Sequence, residues 1–300
     1  MKVAWHKLAR EGVKTYFHYS RAWLLSLGIS RSASFKLSAA ERRASDQMSV
    51  LVAVHDGPQV TERCLKSLET FGGDAEIIVV DDASKLAVTR QILDTFCARN
   101  RWKLIRHDKA QGHSRSSEAG ASVATRPYLC LLNSDTVVTQ HSWAAMAKTF
   151  ELSPKIATVG PSTSHTPGPQ FVSRAKFCRH HWNDAQVWNF AEKYVAKHGH
   201  EPIVELNSLG GFAFFVRKSV WDRLGGFDKN LPDYGNETEL CWRIREAGFK
   251  NVWSKGAYIH HLGSQSYGTT LGFRAISERC VEAESYIQKK RGEKVPVGQA

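Results

Sequence analysis

The chain has no apolar run approaching the ~20 residues that a membrane-crossing helix needs, which argues against a spanning protein. It has no Cys-x-x-Cys pair. Its six cysteines, Cys64, Cys97, Cys130, Cys178, Cys241 and Cys280, are scattered over 300 residues. That spacing argues against both a zinc site and a disulfide scaffold, and it fits buried free thiols in a reducing compartment. The N-terminus lacks the apolar core and small-residue cleavage site of a secretory leader. A cytoplasmic protein is expected. Internal repeats and low-complexity tracts are missing too, and no Ser or Cys stands out as an activated nucleophile.

Acidic residues are scarce: 29 Asp and Glu face 41 Lys and Arg, giving a net charge of +12 and a pI near 9.5. Such a balance favours anionic partners: phosphorylated substrates, an anionic membrane surface, or nucleic acid. Half of the excess sits in residues 1–47, where nine bases meet three acids for a net of +6. Trp5, Tyr16, Phe17 and Trp23 are interleaved with those bases. This reads as a basic helical extension that packs on the main domain or on a partner, or lies at a membrane interface. Residues 30–47, rich in Ser, Ala and Arg, read as a linker.

What is abundant is alternation. Buried strands are expected at 49–54, 76–80, 102–106 and around Leu129, with helical spacing at 61–71, 86–99 and 119–125 and a polar loop at 111–117. Strands alternating with helices predict an α/β fold with a doubly wound, mostly parallel sheet. The second half is less regular. Helices are expected at 143–152, 184–198, 218–224, 237–247 and 273–291, with a short strand at 156–160 and two more, 251–253 and 257–259, around a turn.

Three strand ends are acidic: His55-Asp56, Asp81-Asp82 and Asn133-Ser134-Asp135. Ligands of open α/β sheets gather at the carboxyl ends of strands. A carboxylate there suits a hard divalent cation holding phosphate oxygens. Equally, Asp81 or Asp82 can cap the following helix, and an Asx turn closes many strands.

These segments resemble family 2 glycosyltransferases of GT-A fold. The resemblance rests on Ser49 to Asp56, Ile77-Ile78-Val79-Val80-Asp81-Asp82 and Leu131-Leu132-Asn133-Ser134-Asp135. It continues through Leu209-Gly210-Gly211-Phe212, Leu224-Gly225-Gly226-Phe227-Asp228, Tyr234 to Arg243 and His260-His261-Leu262-Gly263-Ser264-Gln265-Ser266, and so runs from about Met48 to Tyr267. It implies a GT-A (Rossmann-like) sheet divided into a nucleotide-sugar half, 48–140, and an acceptor-binding and catalytic half, 141–270. A basic helix and tail, 271–300, follow.

By the resemblance, Ala53, Asp56, Asp82, Asn133 and Gly211 bind the donor, and Asp135 and His261 hold Mg²⁺ or Mn²⁺, with His260 as the alternative. Glu237 takes the place of the general base, and Glu239 that of an acid near the acceptor. A carboxylate of ordinary pKa is already ionised at pH 7, so placement alone is required of it. The implied activity is inverting transfer from a nucleotide-diphosphate sugar to a saccharide or glycan hydroxyl, as in rhamnosyltransferase-like enzymes of bacterial surface polysaccharide. Residues 1–47 would meet the inner face of the membrane, with no nucleic acid involved.

Residues 162–170 and the 184–198 helix are expected to shape the acceptor site. A sugar-nucleotide nucleotidyltransferase is the rival enzyme, but His55-Asp56-Gly57-Pro58 offers no Gly-rich basic phosphate loop. A non-catalytic basic membrane- or nucleic-acid-binding protein is the other rival.

Overall fold

A computed structural model describes residues 35–172, 182–263 and 265–292. By its internal contacts the chain divides into residues 1–35 and 36–300. Of the basic extension expected at 1–47, residues 1–34 lie outside the described residues, as does Cys178.

Helix α1 (Ala39–Ser45) replaces the end of the expected linker. Two polar contacts explain it. The Ser38 hydroxyl caps the helix by accepting from Glu41 N at 3.1 Å. The buried Glu41 carboxylate then accepts from the amides of Trp143 and Ala144 at 2.7 and 3.0 Å. Burial pushes Glu41 above the usual carboxylate range, and those two amides oppose the shift.

The first half follows the expected alternation: β1 (Met48–Val54), α2 (Pro58–Phe71), β2 (Glu76–Asp81), α3 (Ala87–Asn100), β3 (Lys103–Arg106), α4 (His113–Ser122) and β4 (Tyr128–Asn133). Helix α4 starts six residues before the expected helix, inside the stretch read as a polar loop. The second half contains β5 (Thr136–Val137), α5 (Ala144–Glu151), β6 (Ile156–Ser162), α6 (Asp184–His198), β7 (Val204–Leu206), β8 (Ala213–Arg217) and α7 (Lys218–Leu224). Then come α8 (Asn236–Glu246), β9 (Lys250–Tyr258), β10 (His260–His261) and α9 (Gln265–Lys290). The two short strands expected around a turn at 254–256 are one strand, β9. Gly256 does not turn the chain; a Cβ there would strike the Ala145 methyl, so the glycine permits close packing instead.

Eight strands form one sheet in the order β3-β2-β1-β4-β8-β6-β9-β7. Strands β1 to β4 are mutually parallel, as are β6 and β9. Strand β8 runs antiparallel to both β4 and β6, and β7 antiparallel to β9. The sheet is therefore mostly parallel, with reversed strands in its second half. One face packs Leu51, Ile78, Leu131, Phe214 and Val216 against Trp221 of α7 and Leu240 and Ile244 of α8. Each such buried side chain contributes roughly 1.5–3 kcal/mol, so the ends of α7 and α8 are fixed against the sheet.

The register puts the strand ends level. Ala53 lies between Val80 of β2 and Asn133 of β4, and Val54 beside Asp81. A second, two-stranded sheet pairs β10 with β5, setting His260 opposite Val137 and His261 opposite Thr136. No helix among the described residues is long and apolar enough to cross a membrane.

Candidate active site

A cavity of about 600 Å³ opens at the carboxyl edge of β1, β2 and β4. That volume falls in the range of small-molecule sites, ~300–1,000 Å³. Its wall includes Ala53, Asp82, Asn133, Asp135, Gly211, Glu237 and His261, which gathers most of the residues singled out from the sequence. Asp56, Glu239 and His260 are not in that wall.

Asp56 adopts φ +57° in the turn after β1, and its Oδ1 accepts from Leu86 N at 2.8 Å. It ties two loops together. Glu239 is fully buried and paired bidentately with Arg243, Nε lying 2.7 and 2.9 Å from its two oxygens, while Lys290 approaches Oε1 at 2.7 Å. It sits two residues after Glu237 on α8 and so faces away from its neighbour's side. Arg243 in turn donates to the carbonyls of Leu224 and Gly226, so this acid holds a loop rather than an acceptor. His260, also buried, lies against Trp182 with ring centroids 5.7 Å apart, and its Nδ1 is 2.9 Å from the Tyr258 hydroxyl. Of the two histidines, His261 is the one in the cavity.

Asp82 reaches the cavity, but its carboxylate is already engaged. Oδ1 accepts from Gln111 N and from His107 Nδ1, both at 2.8 Å, and Oδ2 accepts from Gly112 N at 2.9 Å. These bonds fold the 107–112 segment and present α4. Its neighbour Asp81 accepts from Ser84 N at 2.9 Å and pairs with Arg106. Asp82→Ala is therefore expected to destabilise the fold by about 1–3 kcal/mol, because the acceptor is buried while its donors on His107, Gln111 and Gly112 are partly open to water. Urea denaturation measures it. A shift below about 1 kcal/mol would mean that water replaces the carboxylate without loss.

Asp135 and His261 meet at the cavity floor. His261 Nε2 lies 3.2 Å from Asp135 Oδ1. The β5–β10 pairing makes this happen, helped by Leu262 N donating to the Asp135 carbonyl at 2.9 Å. His261 Nδ1 is 2.6 Å from the His165 carbonyl. A carbonyl only accepts, so Nδ1 carries the proton and Nε2 faces the carboxylate. A proton or a cation between that nitrogen and that oxygen satisfies both. Two neighbouring ligands of one cation, with bonds near 2.1 Å, stand about 3 Å apart. The pair fits such an ion, with open positions left for a ligand's oxygens. Among the described residues no third His, Cys, Asp or Glu joins them.

Glu237 stands in the first turn of α8, after Gly235 at φ +77°. A Cβ on Gly235 would also crowd Ala283 and Ile287, so glycine is required there twice over. The Glu237 carboxylate packs directly on the Cα of Gly211; a Cβ at that position would overlap Oε1 and Cδ. Desolvation by burial raises the Glu237 pKa above the usual carboxylate range, and the nearby His113 and its own backbone amide oppose that shift. This departs from the ordinary carboxylate expected from the sequence. A carboxylate shifted toward neutral pH is a better-matched proton acceptor than an ordinary one.

Sequence reasoning missed His55, His113 and His165, all in the cavity wall. His55 directly follows β1, at an element end legible from the sequence, whereas His113 opens α4 directly after a glycine at φ +88°, inside the stretch read as a polar loop. Of the elements expected to shape the acceptor side, the 165–169 loop lines the cavity, whereas α6 contributes nothing to it. The described cysteines are free; Cys64, Cys97, Cys130 and Cys241 are buried, and Cys280 is exposed.

Residues 49–224 match glycosyl transferase family 2. That is more than half of the chain, and the protein belongs to this family. Among curated proteins it resembles the pre-mycofactocin glycosyltransferase of Mycobacterium tuberculosis, 24% identical over 215 residues that cover 71% of this chain and 42% of that protein. It resembles the O-antigen biosynthesis protein RfbC of Myxococcus xanthus, 24% identical over 229 residues, covering 73% and 18%. A Macaca fascicularis protein described as an inactive polypeptide N-acetylgalactosaminyltransferase-like protein 5 is 30% identical over 188 residues, covering 58% and 41%. The chain thus spans less than half the length of each of these relatives.

Two solved structures share the fold. One is the mannosyltransferase PcManGT from Pyrobaculum calidifontis in complex with GDP-Man and Mn²⁺. It has a TM-score of 0.58 and 14% identity, covering 98% of this chain and 75% of that one. The other is GalNAc-T7 with UDP, GalNAc and Mn²⁺, with a TM-score of 0.57 and 16% identity, covering 84% and 53%. The fold is GT-A.

Proposed function

We propose that this chain transfers a sugar from a nucleotide-diphosphate donor to a hydroxyl of a saccharide or glycan acceptor, with inversion. The observation that carries the reading is one cavity holding Asp135 against His261 on its floor and, in its wall, a half-buried Glu237 packed on Gly211. The donor's diphosphate would lie toward Asp135 and His261, its nucleoside toward Ala53 and Asn133. Asp82 supports that pocket by folding its 107–112 rim.

Glu237 takes the proton of the acceptor hydroxyl as that oxygen forms its bond to the anomeric carbon. The bond from that carbon to the diphosphate breaks on the opposite face, and the electron pair leaves with the nucleotide diphosphate. Gly211, lacking a side chain, lets the sugar and the carboxylate approach one another. A divalent cation bound at Asp135 and His261 would offset the charge developing on the leaving diphosphate. An imidazole nitrogen in the donor set favours Mn²⁺ over Mg²⁺.

The nucleotidyltransferase alternative gains nothing from the turn after β1, where Gly57 at φ +64° leads directly into Pro58 of α2 and no Lys or Arg is present. The proposed location is cytoplasmic, at the inner face of a membrane reached through residues 1–47. Incubation with UDP-, GDP- and dTDP-sugars and Mn²⁺, followed by detection of released nucleotide diphosphate, tests the activity. Release of the nucleoside diphosphate supports transfer. Exchange of pyrophosphate into the donor would support the nucleotidyltransferase instead.

A further inference from the structure

Gln170 lies outside the cavity wall and is almost fully buried, 1% exposed. Its side chain bridges two backbones. Oε1 accepts from Gly210 N at 2.7 Å, and Nε2 donates to the Pro161 carbonyl at 2.9 Å. It fills the space beside Gly160, where a Cβ would strike Nε2. Its main chain closes the 163–172 loop, with Thr163 N donating to the Gln170 carbonyl at 2.9 Å and Val172 N to the Thr163 carbonyl at 2.8 Å. Gln170 therefore ties strand β6, this loop and the Gly210-Gly211 turn into one rigid unit.

The turn it holds is the surface on which the Glu237 carboxylate rests. In the first turn of α8 that carboxylate meets its own backbone amide, with His113 nearby, while Asn236 spends its amide on Ser114 Oγ at 3.0 Å and on His113 at 3.2 Å, and its carbonyl oxygen on Glu237 N at 3.1 Å. Gly211 bounds that carboxylate on the side where the two pack together, and Gly211 sits where Gln170 holds its neighbour. We infer that Gln170 is a positioning residue for Glu237, acting through the Gly210-Gly211 turn without touching either substrate. Asn or Glu could not replace it unchanged: the first is one carbon too short for the bridge, the second sets a carboxylate oxygen against the Pro161 carbonyl.

This inference rests on the reading of Glu237 as the base, and a double-mutant cycle separates the two. Gln170→Met keeps the length and loses both hydrogen bonds. A misplacement of about 1 Å costs on the order of 10²-fold in rate, so kcat per bound nucleotide is expected to fall by ~10–100-fold with the nucleotide Kd unchanged. In a Glu237→Gln background the same change should have no further effect, because there is no base left to misplace. Equal loss in both backgrounds would make Gln170 a general packing residue and overturn the inference. So would a Gln170→Met enzyme that keeps wild-type kcat.

Should Gln170→Met fail to bind nucleotide stoichiometrically, Gln170→Glu enters the same cycle at a pH low enough to protonate the buried carboxyl, which then donates to the Pro161 carbonyl and still accepts from Gly210 N; there a smaller kcat loss that again vanishes with Glu237→Gln is expected. If Glu237→Gln alone retains full turnover, the assignment of the base has failed, and this inference with it. If Glu237→Gln is slow and Gln170 changes act additively, only this inference has failed.

Discussion

Glu237→Gln is expected to lower kcat by ~10²–10⁴, the usual worth of a general base, while leaving donor affinity unchanged, because the base acts only in the transition state. The same substitution should raise thermal stability at neutral pH. The sign follows from burial. The folded-state pKa of Glu237 is raised, so its contribution to stability is fully present below the unfolded carboxyl pKa and is lost as pH rises through the folded one. Above that point the wild type carries an ionised group in a half-buried wall, whereas the Glu237→Gln protein does not. A Tm difference that opens as pH rises from 4 toward 8, with the Glu237→Gln protein the more stable, is the expected result of scanning calorimetry. Equal Tm values at all pH would show that the carboxylate is solvated. Glu237→Asp keeps the charge but withdraws it by one bond from Gly211, and should recover part of the rate.

Asp135→Ala is expected to remove metal-dependent nucleotide binding. Losing an outer-shell partner of a metal site commonly costs ~10–100-fold in affinity, and Asp135 would be a direct ligand, so Mn²⁺ affinity should fall by more than about 10²-fold. Free Mn²⁺ measured by electron paramagnetic resonance gives that number without any turnover. The fold should survive, because the backbone of Asp135 stays anchored through the amide of Leu262 and the far-ultraviolet dichroism should match wild type. Undiminished Mn²⁺ binding would mean that the Asp135–His261 contact is an ordinary ion pair with a protonated imidazole.

Much of the first half of the fold was legible because its strands are continuous apolar runs closed by acids, and their order alternates with helices. Direction was not legible. A strand buried on both faces reads the same whether it runs parallel or antiparallel, so β8 offered no sign of its reversal. The turn expected at 254–256 failed for a related reason: Gly256 looks like a chain reversal until the Ala145 methyl above it is seen.

The site divided along the same line. Asp135, His261, Glu237 and Gly211 converge in the cavity. Asp82 and Glu239 were also singled out as acids at the right places, but partners come to them from segments distant in sequence: the amides of 111 and 112 for one, and for the other Lys290, beside an Arg243 only four residues on. A sequence shows a carboxylate; it does not show whether donors already fill it. The raised pKa of Glu237 was hidden for the same reason, since desolvation is a property of the packed wall. Gln170 carried no signal at all, being one amide in a Pro- and Gly-containing loop.

The central claim is that Glu237 accepts the acceptor's proton, and single-turnover release of nucleotide diphosphate as a function of pH tests it most directly. Enzyme is saturated with Mn²⁺ and donor before acceptor is added, in wild type and in Glu237→Gln side by side. Any titration at Asp135 or His261 affects both proteins alike and cancels in the ratio. The account predicts a wild-type rate that falls as pH drops through the raised pKa of Glu237, and a slow Glu237→Gln rate without that limb, so that the ratio of the two rates narrows toward low pH. The same acid limb in both proteins, or a ratio independent of pH, would contradict it.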